Sequence, residues 1–115
     1  MSAPRKSLIK PRSKAFIHQN GFCYYCDQPM WLKESITFSS KYNITLPQAK
    51  RFQCTGEHLI AHQDGGTSAQ KNIVAACWFC NQQRHRRKIY LSPERFKKFT
   101  QKRMQKGRWH NFRLT

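Results

Sequence analysis

The sequence predicts a small α+β domain with a four-cysteine zinc knuckle, flanked by a basic N-terminal arm and a basic C-terminal helix. Three observations predict it. Four of the five cysteines fall in two C-x-x-C pairs, Cys23-Tyr-Tyr-Cys26 and Cys77-Trp-Phe-Cys80. The order of local signals from 52 to 91 is strand, loop, strand, C-x-x-C turn, helix, which is a ββα unit. The charge is lopsided: 22 Lys and Arg stand against five acidic residues, for a formal net charge of +17.

Size and composition set the frame. A chain of 115 residues with 38% hydrophobic residues and a mean hydropathy of −0.82 has room for one domain and only a thin core. Small folds of this kind are commonly stapled by disulfides or a metal. No apolar run approaches the roughly 18 residues of a membrane span, and the N-terminal stretch lacks the apolar segment of a signal peptide. The expected setting is therefore the cytoplasm, where thiols stay reduced, which favours zinc over disulfides. Paired C-x-x-C turns give Cys23, Cys26, Cys77 and Cys80 as the ligands of one structural Zn²⁺. A redox C-x-x-C needs no second pair. Cys54 stands alone and reads as a buried strand residue.

The elements follow in order. Residues 1–12 read as a flexible basic arm. "SKAFIHQN" at 13–20 reads as a short helix stopped by Gly21. "FCYYCDQPM" is an aromatic strand, a C-x-x-C turn and then Pro29. Residues 34–53 are ambiguous, although Pro47 in "LPQAKRF" suits a first helical turn. "FQCTGEHLIAH" is a strand running into a turn, and "NIVAAC" is a second strand. Gly65-Gly66-Thr67-Ser68 forms the loop between them. "NQQRHRRKIYL" from Asn81 lacks breakers and suits a helix. A last helix starts with Ser92 as N-cap and Pro93 at N1, and runs toward Gly107 at C′. The expected organisation is an arm at 1–12, a zinc-stapled domain at 13–91, and a basic helix and tail at 92–115.

"EHLIAHQDGGTSAQKNIVAACWFCNQQRH" resembles the HNH endonucleases, or ββα-metal nucleases, in their four-cysteine, zinc-stapled form. The shared pattern is Glu57-His58, Gly65-Gly66, Asn72 and Cys77-x-x-Cys80-Asn81. The resemblance spans about residues 16–88. It implies that His58 is the general base that deprotonates the attacking water. It implies that Asn72 orients the base and ties down the loop, and that Glu57 and Asn81 ligate a catalytic Mg²⁺ or other divalent cation. Glu57 stands where Asp is commoner, which leaves reach and cation preference open. Some members place a metal ligand at the position of His85. Here His85 is either a third ligand or a phosphate contact on a basic helix. His62 reads as a surface loop residue. His18 and His110 read as structural or surface residues. Glu57 and His58 are neighbours on a strand, where side chains alternate faces. Bringing both to one point therefore calls for a bend or bulge, for which Gly56 is suited.

The chemistry fits the resemblance. Imidazole titrates near neutrality, as a general base at neutral pH requires. A hard cation takes oxygen ligands from a carboxylate and a carboxamide. Of the basic residues, 17 lie at 1–14 and 84–115, where Glu94 is the one acid. Arg84, Arg86, Arg87 and Lys88 follow Asn81 directly and are expected to bind nucleic acid. The bases of the last helix, Arg95 to Arg108, extend that surface. Phosphate contacts position a duplex without reading it, so low sequence specificity is expected, with binding that weakens as salt rises. The expected partner is DNA rather than RNA, a membrane or a small-molecule substrate. Monomer and dimer stay open. The rival reading is a non-catalytic, zinc-stapled nucleic-acid-binding domain. Tyr24, Tyr25, Trp31 and Trp78 are better explained by packing around the knuckles than by base stacking.

Overall fold

A computed structural model describes residues 6–60, 65–67, 69–112 and 114. The N-terminal five residues, the loop stretch 61–64 that holds His62, and residues 68, 113 and 115 lie outside that description. The element order is α1 (Lys6–His18), α2 (Ser35–Tyr42), α3 (Leu46–Lys50), β1 (Cys54–His58), β2 (Ile73–Cys77), α4 (Trp78–Arg86) and α5 (Pro93–Gln105). A short 3-10 turn at Gln70–Asn72 leads into β2.

The ββα unit is present. β1 and β2 pair antiparallel in one unbroken register, from Cys54 opposite Cys77 to His58 opposite Ile73. Cys77 caps α4, and its sulfur accepts from the Cys80 backbone N–H. The helix thus begins three residues earlier than Asn81. The zinc knuckle at Cys23–Cys26 docks on the outer edge of β2, where the Tyr24 N–H bonds the Ala75 carbonyl at 2.9 Å. The Gln19 carboxamide bonds both Ala75 backbone groups, at 2.8 and 2.9 Å. Side chain and knuckle together do what a third strand would do for an open edge.

Two expectations about the ends are corrected. Residues 6–12 are not an arm. They form the first turns of α1, in which Leu8 and Arg12 are buried. The reason lies in their packing on the Gly56 face of the ribbon. A Cβ at Gly56 would stand 3.5 Å from Arg12 and 3.6 Å from Leu8, which are ordinary contact distances. Leu8 gains a buried seat on that face. The last helix is also no appendage. It forms where the Ser92 and Pro93 signals place it, and Gly107 follows its end at φ 66°. Phe96, Thr100 and Met104, spaced at four residues, are buried. Phe96 and Met104 join Tyr25, Met30, Ala75, Ala76 and the knuckle cysteines in the main core. A second cluster holds Phe38, Ala49 and Phe52 beneath α2 and α3. α3 is fixed by a capping box between Thr45 and Gln48, with Pro47 in its first turn. No helix among the described residues is long and apolar enough to cross a membrane.

Candidate metal centres of the ββα unit

The two C-x-x-C turns converge. The sulfurs of Cys23, Cys26, Cys77 and Cys80 lie within 4.8 Å of one another, and all four residues are buried. Zinc–thiolate bonds of 2.3 Å put the corners of a tetrahedron about 3.8 Å apart. The sulfurs of Cys26 and Cys77 are 3.9 Å apart, so one Zn²⁺ fits. The protonation chemistry agrees. Burial raises the thiols of Cys77 and Cys80. Burial also acts against ionisation of Cys23, yet hydrogen bonds from Cys26, Cys77 and Cys80 pull that thiol down. Four such groups together call for a cation.

N–H donors surround the cluster. Cys23 Sγ accepts from the backbone N–H groups of Tyr25 and Cys77, at 3.4 and 3.3 Å. Cys80 Sγ accepts from Trp109 Nε1 at 3.2 Å. His110 Nε2 reaches Cys26 Sγ at 3.4 Å. Burial and then the Arg51 guanidinium push His110 down to about 4, so its ring is neutral near pH 7. Arg51 donates to His110 Nδ1 at 3.1 Å, so the proton sits on Nε2 and points at sulfur. His110 is thus structural rather than a surface residue, and it belongs to the surroundings of the cysteine cluster. No spacing signal announces it, because 29 residues lie between it and Cys80. Cys54 is buried in β1 as expected, and burial holds its thiol up at about 12.

A second constellation lies between β1 and α4. Glu57 is 2% exposed. Its Oε1 is 3.0 Å from His85 Nε2, and its Oε2 is 3.1 Å from Arg84 Nη1. The Tyr25 hydroxyl donates to Oε2 at 3.4 Å. Burial first, and then Glu57, raise Tyr25, so it stays a phenol and a donor. Burial works against the Arg84 charge, but Glu57 more than offsets it and raises Arg84 on balance. Asn81 lies one helical turn before His85. Its Nδ2 donates to Thr55 Oγ1 at 2.9 Å, and Thr55 shares a strand face with Glu57. Adjacent corners of an octahedron with 2.0–2.1 Å bonds stand about 3 Å apart. Glu57 Oε1 and His85 Nε2 are joined by a hydrogen bond of 3.0 Å, and that separation is also the one that two ligands of a small cation have.

Three expectations about this site change. The bulge at Gly56 is absent: the ladder runs through it in register. His58 therefore leaves the strand on the face of Gly56 and Cys54, opposite to Glu57. It is the last residue of β1, at the open end of the ribbon. Arg84 is not a surface base for nucleic acid. It lies three residues after Asn81, on the inward side of α4, where the buried Glu57 demands a cation. Arg86, Arg87 and Lys88 are exposed, and the Arg87 guanidinium stacks 4.7 Å from the Phe99 ring centre. Asn72 makes three hydrogen bonds across the loop. Its Oδ1 accepts from the Ile60 N–H at 2.8 Å, and its Nδ2 donates to the carbonyls of Ile60 and Thr67 at 3.0 and 2.7 Å.

Two concavities run from α5 toward the ribbon's end. A groove of about 630 Å³ is lined by Tyr24, Glu94, Lys97, Lys98, Gln101 and Lys102, among others. A smaller one of about 390 Å³ shares Tyr24 and Glu94 with it and reaches Leu59, the residue after His58. Residues 45–87 match the family model described as HNH endonuclease. The match takes in α3, both strands and α4, with Glu57, His58, Asn72, Cys77, Cys80 and Asn81. Neither the curated proteins nor the solved structures give a match.

Proposed function

Because residues 45–87 form a domain of the HNH endonuclease family, we propose that the protein is a cation-dependent endonuclease that hydrolyses DNA phosphodiester bonds. The observation that carries the reading is the buried Glu57 carboxylate, with His85 Nε2 at 3.0 Å from Oε1 on the α4 side of the ribbon. Glu57, His85 and the Asn81 carboxamide oxygen hold the catalytic cation. Bound there, Mg²⁺ or a like ion supplies charge stabilisation for the phosphate and the leaving oxygen. The structural Zn²⁺ belongs to Cys23, Cys26, Cys77 and Cys80.

His58 serves as base from the end of the ribbon. It takes a proton from water, the water oxygen bonds to phosphorus, and the phosphorus–O3′ bond breaks. The products carry 5′-phosphate and 3′-hydroxyl. Because His58 and Glu57 leave opposite faces, the substrate phosphate has to sit across the strand's end, with one residue on each side. Asn72 keeps that end open by holding Ile60 and Thr67. Lys97, Lys98 and Lys102 bind the flanking backbone in the groove beside Tyr24, which adjoins the smaller concavity at Leu59. Phosphate contacts of this kind read no sequence, which accounts for low specificity. The reduced thiols that zinc requires suit a cytoplasmic setting.

The unbroken ladder favours one other reading, a zinc-stapled nucleic-acid-binding domain without turnover, since it separates base from ligand. A plasmid-nicking assay with Mg²⁺ or Mn²⁺ decides, using wild type and His58→Ala that each hold about one zinc. Nicking by wild type that needs added cation, and is lost in His58→Ala, supports the enzyme. Salt-sensitive DNA binding by both proteins, with no nicking by either, supports the binder.

A further inference from the structure

Arg84 holds an unusual position for a base in a chain of charge +17. Its side chain is 5% exposed, and it is paired to a carboxylate that is itself buried. Nη1 meets Glu57 Oε2 at 3.1 Å. Nη2 donates to the Tyr90 hydroxyl at 3.1 Å and reaches the Leu91 carbonyl at 3.5 Å. The Tyr90 ring lies 5.4 Å from the guanidinium carbon. The guanidinium is thus held from the loop after α4 as well as from β1. Guanidinium stays protonated in proteins, so the contact does not lapse with pH.

The two oxygens of Glu57 are divided by this arrangement. Oε2 receives Arg84 and the Tyr25 hydroxyl, and Oε1 alone faces His85. A cation between Glu57 and His85 therefore meets one carboxylate oxygen. Mg²⁺ and Mn²⁺ accept single-oxygen carboxylates in a tight octahedron. Ca²⁺ takes six to eight oxygens at longer range and often grips a carboxylate by both. Two-oxygen ligation of Glu57 would break the contacts to both Arg84 and Tyr25.

We propose that Arg84 is a positioning residue that fixes Glu57 as a one-oxygen ligand and so makes the site select a small six-coordinate cation over calcium. The inference rests on Glu57 and His85 being cation ligands, as proposed above. It also explains the longer side chain at position 57. Glutamate reaches an arginine on α4 with one oxygen and still presents its second oxygen to His85.

The test is Mn²⁺ binding to zinc-loaded protein, followed by the electron paramagnetic resonance of free Mn²⁺, with Ca²⁺ as competitor. Wild type is expected to bind one Mn²⁺ that Glu57→Gln does not bind. Arg84→Lys, which keeps the charge and loses the fork, is expected to lower Mn²⁺ affinity about tenfold, as removal of a ligand's supporting hydrogen bond does, and to lower the Mn²⁺-over-Ca²⁺ preference with it. Tyr90→Phe loosens Arg84 without touching Glu57 and is expected to lower that preference by a smaller factor. An unchanged preference in both variants at full zinc content overturns the role of Arg84. If Arg84→Lys fails to retain zinc, the preference measured in Tyr90→Phe settles that role by itself. Mn²⁺ binding that Glu57→Gln leaves intact overturns the cation site itself, and with it the premise.

Discussion

Glu57 and Arg84 are each nearly sealed from water, at 2% and 5% side-chain exposure. A buried ion pair adds little net stability, because desolvating two charges consumes most of their attraction. Removing one partner is another matter, since the survivor is left buried and unpaired. Glu57→Ala is therefore expected to destabilise the zinc-loaded protein by about 3–5 kcal/mol, and Glu57→Ala with Arg84→Met to recover much of it. Urea titration of both variants checks this. Equal stability of the single and double variants would show that water reaches Arg84 after all. Much of this constellation was legible at the residue scale. The order Glu57-His58, Asn72 and Cys80-Asn81 singles out the residues that the fold sets around β1 and α4. Arg84 was not legible. In a run of Arg84, Arg86, Arg87 and Lys88, nothing marks the one that turns inward, because the helix begins at Trp78 and its phase against β1 is a tertiary fact.

At the scale of elements, Asn72 spans the described part of the loop between β1 and β2. Asn72 makes three hydrogen bonds across it, to both backbone groups of Ile60 and to the Thr67 carbonyl. Asn72→Ala would strand those backbone groups, and an unmet buried group costs about 1–3 kcal/mol. The expected result is a modest loss of global stability with much faster amide exchange at Ile60. Unchanged exchange there would mean that the loop is held by other contacts. The strands, α3 and α5 could be read from β-branched runs, from Pro47 and from the Ser92-Pro93 start. α1 could not. Pro11 sits inside that helix and removes an N–H, which reads as a break. The helix forms all the same, with Leu8, Arg12 and Ala15 buried against the ribbon. Gly56 lies under it and makes no bulge.

For the whole molecule, the four-cysteine cluster, which fits one Zn²⁺, joins parts of the chain that lie far apart in sequence. The four cysteines come from the knuckle after α1 and from the junction of β2 and α4, and their sulfurs sit inside the main apolar cluster. Structural zinc in small domains carries a large share of the folding free energy. Trp109 and His110 extend the assembly to the segment after α5. His110→Ala is expected to weaken zinc binding about 10–100-fold, measured by competition with a chelating dye. Zinc affinity unchanged from wild type would reduce His110 to a packing residue. The charge of +17 is legible in the composition, but its distribution is not. The fold withdraws Arg84 and Arg12 from solvent, and lines the groove beside Tyr24 with Lys97, Lys98 and Lys102.

The reach of Trp109 and His110 to the cysteines also has a meaning in time. A chain emerges from the ribosome in order, at about 5–20 residues per second. Cys80 precedes His110 by about thirty residues, which is roughly two to six seconds at that speed. During this interval all four thiols are available, but two of the sulfurs lack the N–H donors that Trp109 and His110 bring. The donors that complete the cluster's surroundings are therefore made after all four of the sulfurs they serve.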